Sequence, residues 1–154
     1  MGDRTHMVIR IAAQDLEAAG EALAEFRDRG DYAVEKLDEE TRELEFDQAD
    51  AMGSAERELL REAGVPHIGW HQQGIQFDPM MFAFREGEEA ECPMHEGEPA
   101  GAVEFVGGKA RLIFQAWEHA QAYFEARLAV ETFFAERAAG NAGRVVVPKR
   151  TRKD

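Results

Sequence analysis

Apolar positions change period several times along the chain, and each change marks an element. Residues 6–13 alternate partially around Val8, Ile9 and Ile11, a β-branched run that predicts a strand. Leu16, Ala19, Leu23 and Phe26 then recur at helical spacing, with Glu17, Glu21, Glu25 and Arg27 between them. Asp15 stands where an N-cap oxygen is wanted, and Gly30 where the helix should stop. Tyr32, Val34 and Leu37 lead into Asp38-Glu39-Glu40-Thr41, and Leu44 and Phe46 return at period two, predicting a hairpin over 32–47 with one wet face. Ser54 is placed to cap a short helix running to about Ala63, with Leu59 and Leu60 turned inward; Gly64 and Pro66 prevent its continuation.

From 67 to 115 glycine, proline and aromatic residues punctuate short apolar runs. Strands are predicted at 67–71, 75–77, 81–85, 90–95, 102–106 and 110–115, with turns at 85–88, 96–99 and Gly107-Gly108, the pattern of a β-meander. Ile75, Phe77 and Pro79 suit a sheet edge. A long helix follows over 116–138. Trp117, Ala120, Phe124 and Leu128 form one stripe, widened by Tyr123, Val130, Phe133 and Phe134. A stripe this broad is buried on more than one side within the monomer, or half of it meets a second copy of the chain.

These elements predict an α+β protein: a largely antiparallel sheet or meander carrying two shorter helices and a long C-terminal helix packed on it. Residues 1–140 form a single acidic domain and 141–154 a basic tail, with Val145-Val146-Val147 as a possible edge strand. The chain's 154 residues, 44% of them hydrophobic and including ten Phe, suffice for a core without a staple. The single Cys92 permits no internal disulfide. The N-terminus holds no apolar run of signal-peptide length, and no stretch has the roughly 18 apolar residues of a membrane span. A cytoplasmic protein is expected.

Charge sharpens the functional picture. Of 18 basic and 31 acidic side chains, five basic and one acidic fall after residue 140, which leaves 13 and 30 in the body, a net of −17. Such a body repels nucleic acid and anionic membranes, and attracts basic surfaces. Simple solubility is the plain alternative. The tail is read as a flexible end or a clamp folded back on the acidic body.

His67, His71, Cys92 and His95 bring four of the chain's six His and Cys residues into 29 positions. Residues four apart on a strand share a face, so a zinc site of three imidazoles and one thiolate is chemically sound if the meander closes on itself. The alternative is a buried Cys and three hydrogen-bonded or surface histidines. A Cys92–His71 or Cys92–His95 nucleophile pair lacks an orienting third group and a strained turn. Gly107-Gly108-Lys109 lacks P-loop spacing. The run of Trp70, Phe77, Met80, Met81, Phe82 and Phe84 is read chiefly as core, with Trp70 and Phe77 as candidates for an adaptable binding surface. Glu88, Glu89, Glu91, Glu96 and Glu98 are read as solvated turn residues that would add acid to that surface.

The opening Met1-Gly2-Asp3-Arg4-Thr5-His6, running into the first strand, and the segment Gly64-Val65-Pro66-His67-Ile68-Gly69-Trp70-x3-Gly74-x2-Phe77 are two stretches that resemble small accessory proteins carried on phages and plasmids. His6, His67 and Phe77 stand where those proteins carry tyrosine. The resemblance implies a mobile-element setting, in which small proteins bind and block host factors. The expectation is therefore a non-catalytic binding protein, an inhibitor or regulator. Its acidic surface engages a basic protein partner, by nucleic-acid mimicry in the sharpest form of the reading. No cofactor is expected, with zinc as the alternative. Nor is direct nucleic-acid or membrane binding by the body. Self-association through 116–138 is the remaining possibility.

Overall fold

A computed structural model describes residues 4–74, 78–95, 98–99, 103–112 and 114–140. Among these described residues there are nine strands: β1 (Arg4–Ala12), β2 (Ala33–Lys36), β3 (Thr41–Asp50), β4 (His67–His71), β5 (Met80–Arg85), β6 (Glu88–His95), β7 (Glu98–Pro99), β8 (Val103–Val106) and β9 (Lys109–Leu112). The helices are α1 (Leu16–Ala22), α2 (Ala24–Asp28), α3 (Ser54–Glu62) and α4 (Phe114–Ala138). The protein is α+β. Seven strands form one antiparallel sheet in the order β2-β3-β1-β4-β5-β6-β7, and β8 pairs with β9 in a separate hairpin.

The stretch from β1 to β4 makes a split β-α-β unit. From β1 the chain crosses through α1 and α2 to β2, leaving room for β3 between them. From β3 it crosses through α3 to β4, over β1. Beyond β4 the sheet grows as a meander only through β7, which falls on Glu98–Pro99 where a turn was expected; β8 and β9, expected to continue the meander, form a hairpin outside that sheet. The β5–β6 turn places Glu86 at φ 53° and Gly87 at φ 86°, the paired positive φ values that match the right-handed twist of a two-residue hairpin.

The pleat sorts side chains into two cores. Met7, Ile9 and Ile11 of β1, Leu44 and Phe46 of β3 and Phe82 of β5 point toward α1, α2 and α3, where Ala19, Leu23 and Leu60 meet them. Ala12, Ile68, Met81, Ala83 and Cys92 point the other way, toward Tyr123, Val130, Phe133 and Phe134 of α4. The α4 helix lies over β5 and β6, so the opposite end of its sheet face, across β1 and β3, carries charged side chains. Arg85 helps to hold it there: it donates to the Ala129 carbonyl at 2.6 Å, and its guanidinium sits 5.3 Å from the Phe133 ring centre.

Several expectations are corrected. Asp15 makes no cap hydrogen bond to α1 and pairs with Arg137 instead. The helix predicted after it is broken at Leu23, with α2 starting on the next residue. The second helix begins at Ser54 itself, after Gly53 in the left-handed region. Val34 and Leu37 are exposed, and β2 is the edge strand of the sheet. On α4 the buried stripe is Tyr123, Val130, Phe133 and Phe134, whereas Phe124 and Leu128 are 51% and 67% exposed. The strand predicted at 75–77 and the tail from 141 lie outside the described residues.

Candidate functional site

Antiparallel partners share a face, so register decides which candidate residues meet. On the face under the helices, β4 presents His67 and His71, as their spacing predicted. Opposite them on the same face, β6 presents Glu89 and Glu91. From above, α3 lowers Arg57 and Arg61. Arg57 reaches Glu89 at 3.0 Å and Glu91 at 3.5 Å, while Arg61 reaches the other Glu89 oxygen at 2.8 Å. The Arg57 guanidinium lies 3.9 Å from the centre of the Phe82 ring. Such a stack lets a cation sit in a nearly dry layer, its charge met by the ring face and the carboxylates.

His67 is sealed beneath this network. Its ring stacks on Phe84 at 5.4 Å and meets the edge of Phe82. Nδ1 lies 2.8 Å from the Val65 carbonyl, which fixes the proton there and leaves Nε2 as a buried acceptor without a partner. Burial holds the imidazole down at about 4, so it is neutral at pH 7. His71 is also shifted down, chiefly by burial, and its Nδ1 lies 3.0 Å from the Gln72 carbonyl.

Cys92 is not with them. Its register partner is Met81, so its thiol lies across the sheet in the α4 core, 3.4 Å from the Pro93 carbonyl. The sheet thus separates Cys92 from His67 and His71, and the three do not converge. The His95 side chain lies outside the described residues. The grouping that does approach metal-like spacing among the described residues was not read from the sequence: His6, Glu45 and Asp47, whose ligand atoms lie within 4.8 Å of one another. There Nε2 of His6 faces Glu45 at 3.7 Å and Nδ1 faces Asp47 at 3.6 Å. The two carboxylates thus flank different ring nitrogens, only one of which serves a given ion. This trio forms through the β1–β3 pairing, which spacing alone does not reveal.

The expected binding surface is also divided by the pleat. Trp70 points to the α4 side, and Glu88 shares that side. Glu89 and Glu91 are on the other. Glu89 is not a solvated turn residue; it is 19% exposed and holds two arginines. Phe77 and Glu96 lie outside the described residues, as does the Glu98 side chain. Phe82, Phe84 and Met81 are core, as expected.

The helical layer sorts its charges. On α3 both cations point inward to Glu89, while Glu58 and Glu62 stay exposed. The neighbouring α1 has no basic residue and exposes Glu17 and Glu21. Further out, Arg27 pairs with Asp28 at 3.2 Å and Arg29 with Asp31 at 2.8 Å. The outer surface of α1 and α3 therefore presents carboxylates, while Arg27 and Arg29 beyond them stay exposed, each paired with one acid.

Comparisons with family models, with curated proteins and with solved structures give no match to this chain. No helix among the described residues is long and apolar enough to cross a membrane.

Proposed function

We propose that this chain is a non-catalytic binding protein whose outer helical surface engages a lysine- and arginine-rich face of a protein partner. The observation that carries this reading is the division of charge on α3. Arg57 and Arg61 turn inward to Glu89, while Glu58 and Glu62 are exposed, as are Glu17 and Glu21 of the neighbouring α1. A −17 body alone fits mere solubility. On α1 and α3 no described cation turns outward, which adds local sign, and local sign is what gives orientation and on-rate in charged association. The partner surface that fits is of the kind that holds nucleic-acid phosphates. The resemblance of the opening and of the segment from Gly64 to Phe77 to accessory proteins of phages and plasmids supplies a setting for such blocking.

The test is affinity capture from the cell that encodes the chain, at low and high salt, with wild type and a Glu17→Gln/Glu21→Gln/Glu58→Gln variant. A basic partner held at low salt, released at high salt and lost by the variant is expected. A partner held equally by both proteins at both salt concentrations would end the reading. Self-association through α4 is a separate proposal that rests on exposed Phe124 and Leu128. A monomeric mass in light scattering would end it.

A further inference from the structure

Between the sheet and α4, on the face away from the acidic helices, lies a cavity of about 340 Å³. Its floor is apolar, from Ile68 and Met81, and the Trp70 indole forms part of its wall. Arg10 from β1 and Arg127 from α4 line it from the two layers, with Tyr123 beside Arg127. This is the composition of a small-ligand site: apolar surface with a few polar groups, Gln72 and Tyr123 neutral and the two charged ones both cationic.

Both arginines are held in place, and neither is used up. Glu43 takes Nε and Nη2 of Arg10 on one oxygen, at 3.3 and 2.9 Å, leaving Nη1 for another acceptor. Glu131 takes Nε of Arg127 at 2.8 Å, and the Tyr123 hydroxyl shares the same guanidinium. A guanidinium has five N–H groups in a fixed fork, so each retains donors after these bonds. The anchoring acids also limit what can enter. With Glu43 and Glu131 adjacent, a multiply charged phosphate ester meets strong repulsion. A neutral apolar molecule would cover the arginines without satisfying them. An inorganic anion would leave the floor and the indole unused.

We propose that this cavity binds a small planar aromatic acid with a single negative charge. Its ring lies against Trp70 over Ile68 and Met81, and its carboxylate lies between Arg10 and Arg127. The site is on the opposite side of the sheet from the acidic helical face, so it stands or falls independently of the partner proposed there.

The test uses indole-3-carboxylate and its uncharged counterpart indole-3-carboxamide as probes, added to the full chain and followed by the methyl signals of Ile68 and Met81. Saturable shifts at these methyls are expected with the acid, with binding of the amide weaker by roughly tenfold or more, the scale of a lost charge-assisted hydrogen bond. The Arg127→Gln variant should weaken the acid by a similar factor and leave the amide unchanged. The acid–amide comparison on wild type needs no variant, so a folding defect in Arg127→Gln would not blunt the test. Equal binding of acid and amide, or no saturable shift at either methyl, would overturn the proposal.

Discussion

Arg137 donates from Nε and Nη2 to the same oxygen of Asp15, at 3.1 and 2.9 Å, across 122 residues of chain. The bond joins the last turn of α4 to the turn that follows β1. Asp15 is only 1% exposed, and its second oxygen has no partner. Burial raises its carboxyl above the ordinary value, and the Arg137 hydrogen bond opposes that rise. The pair thus fixes where the long helix lies, at a desolvation cost that only the intact pair offsets.

Removing one partner should therefore be worse than removing both. Arg137→Met is expected to cost about 3–5 kcal/mol at pH 7, the usual penalty for stranding a buried charge. A carboxyl whose folded value lies above its unfolded one takes up protons on folding. The deficit should then shrink as pH falls through the folded value. Adding Asp15→Asn should recover more than half of the loss. Urea denaturation of the two variants at neutral and acidic pH checks both statements.

Arg57 and Arg61 share Glu89 and should differ sharply. Arg57 is 7% exposed and stacked on Phe82, whereas Arg61 is 31% exposed. Arg57→Ala is expected to cost about 3 kcal/mol, from the lost stack and the loss of one of the two cations that hold the largely buried Glu89. Arg61→Ala should cost under about 1 kcal/mol, because solvent screens its pair. Thermal melts of the two variants give the comparison.

His67 should govern part of the acid limb of stability. Its folded value is about 4, below the ordinary value of 6.5. The unfolded chain then binds the proton more readily, so stability falls as pH drops from about 6.5 toward 4 and levels off below. Between pH 7.5 and pH 5 this one group should remove about 2 kcal/mol. His67→Phe keeps an aromatic ring between Phe82 and Phe84 and deletes the titration. Its stability relative to wild type should rise by that amount over the same interval, in denaturant titrations at the two pH values.

Much of the architecture was legible because local signals there agree with tertiary packing. β4 runs from His67 to His71 as predicted, bounded by Gly64-Val65-Pro66 before it and Gln72-Gln73-Gly74 after it. The same-face placement of His67 and His71 followed from the strand period. What period cannot supply is register between strands, and that is what sent Cys92 to the far side. The spacing of Leu16, Ala19, Leu23 and Phe26 spans α1 and α2 alike, so it hides the break at Leu23. Alternation in β2 marks a face but not whether anything covers it, hence exposed Val34. Glu89 looked solvated because its partners stand 28 and 32 residues upstream on a helix whose crossing direction is a tertiary fact.

Gly69 marks a close approach that the sequence motif did not explain. A Cβ there would lie 2.5 Å from the Val8 carbonyl oxygen and 2.7 Å from the Phe82 ring. The missing side chain is what lets Phe82 lie across β4 and support Arg57. Gly69→Ala should destabilise by about 1–3 kcal/mol, the range for overfilling a packed core. It should also reduce the further loss on Arg57→Ala, since the stack is already displaced. A double-variant cycle of chemical melts checks this coupling.

The sorting of charge on the helical layer is tested most directly by titrating a nona-arginine peptide against the wild type and two variants of equal net charge. One removes Glu17, Glu21 and Glu58 as glutamines; the other removes Glu35, Glu39 and Glu40 of the β2–β3 hairpin in the same way. The helical variant should bind roughly tenfold more weakly at low salt, and the hairpin variant within about threefold of wild type, because oriented charge exceeds bulk charge at contact. Equal losses in the two variants would mean that the acid on this surface is only bulk charge, and the account would be wrong.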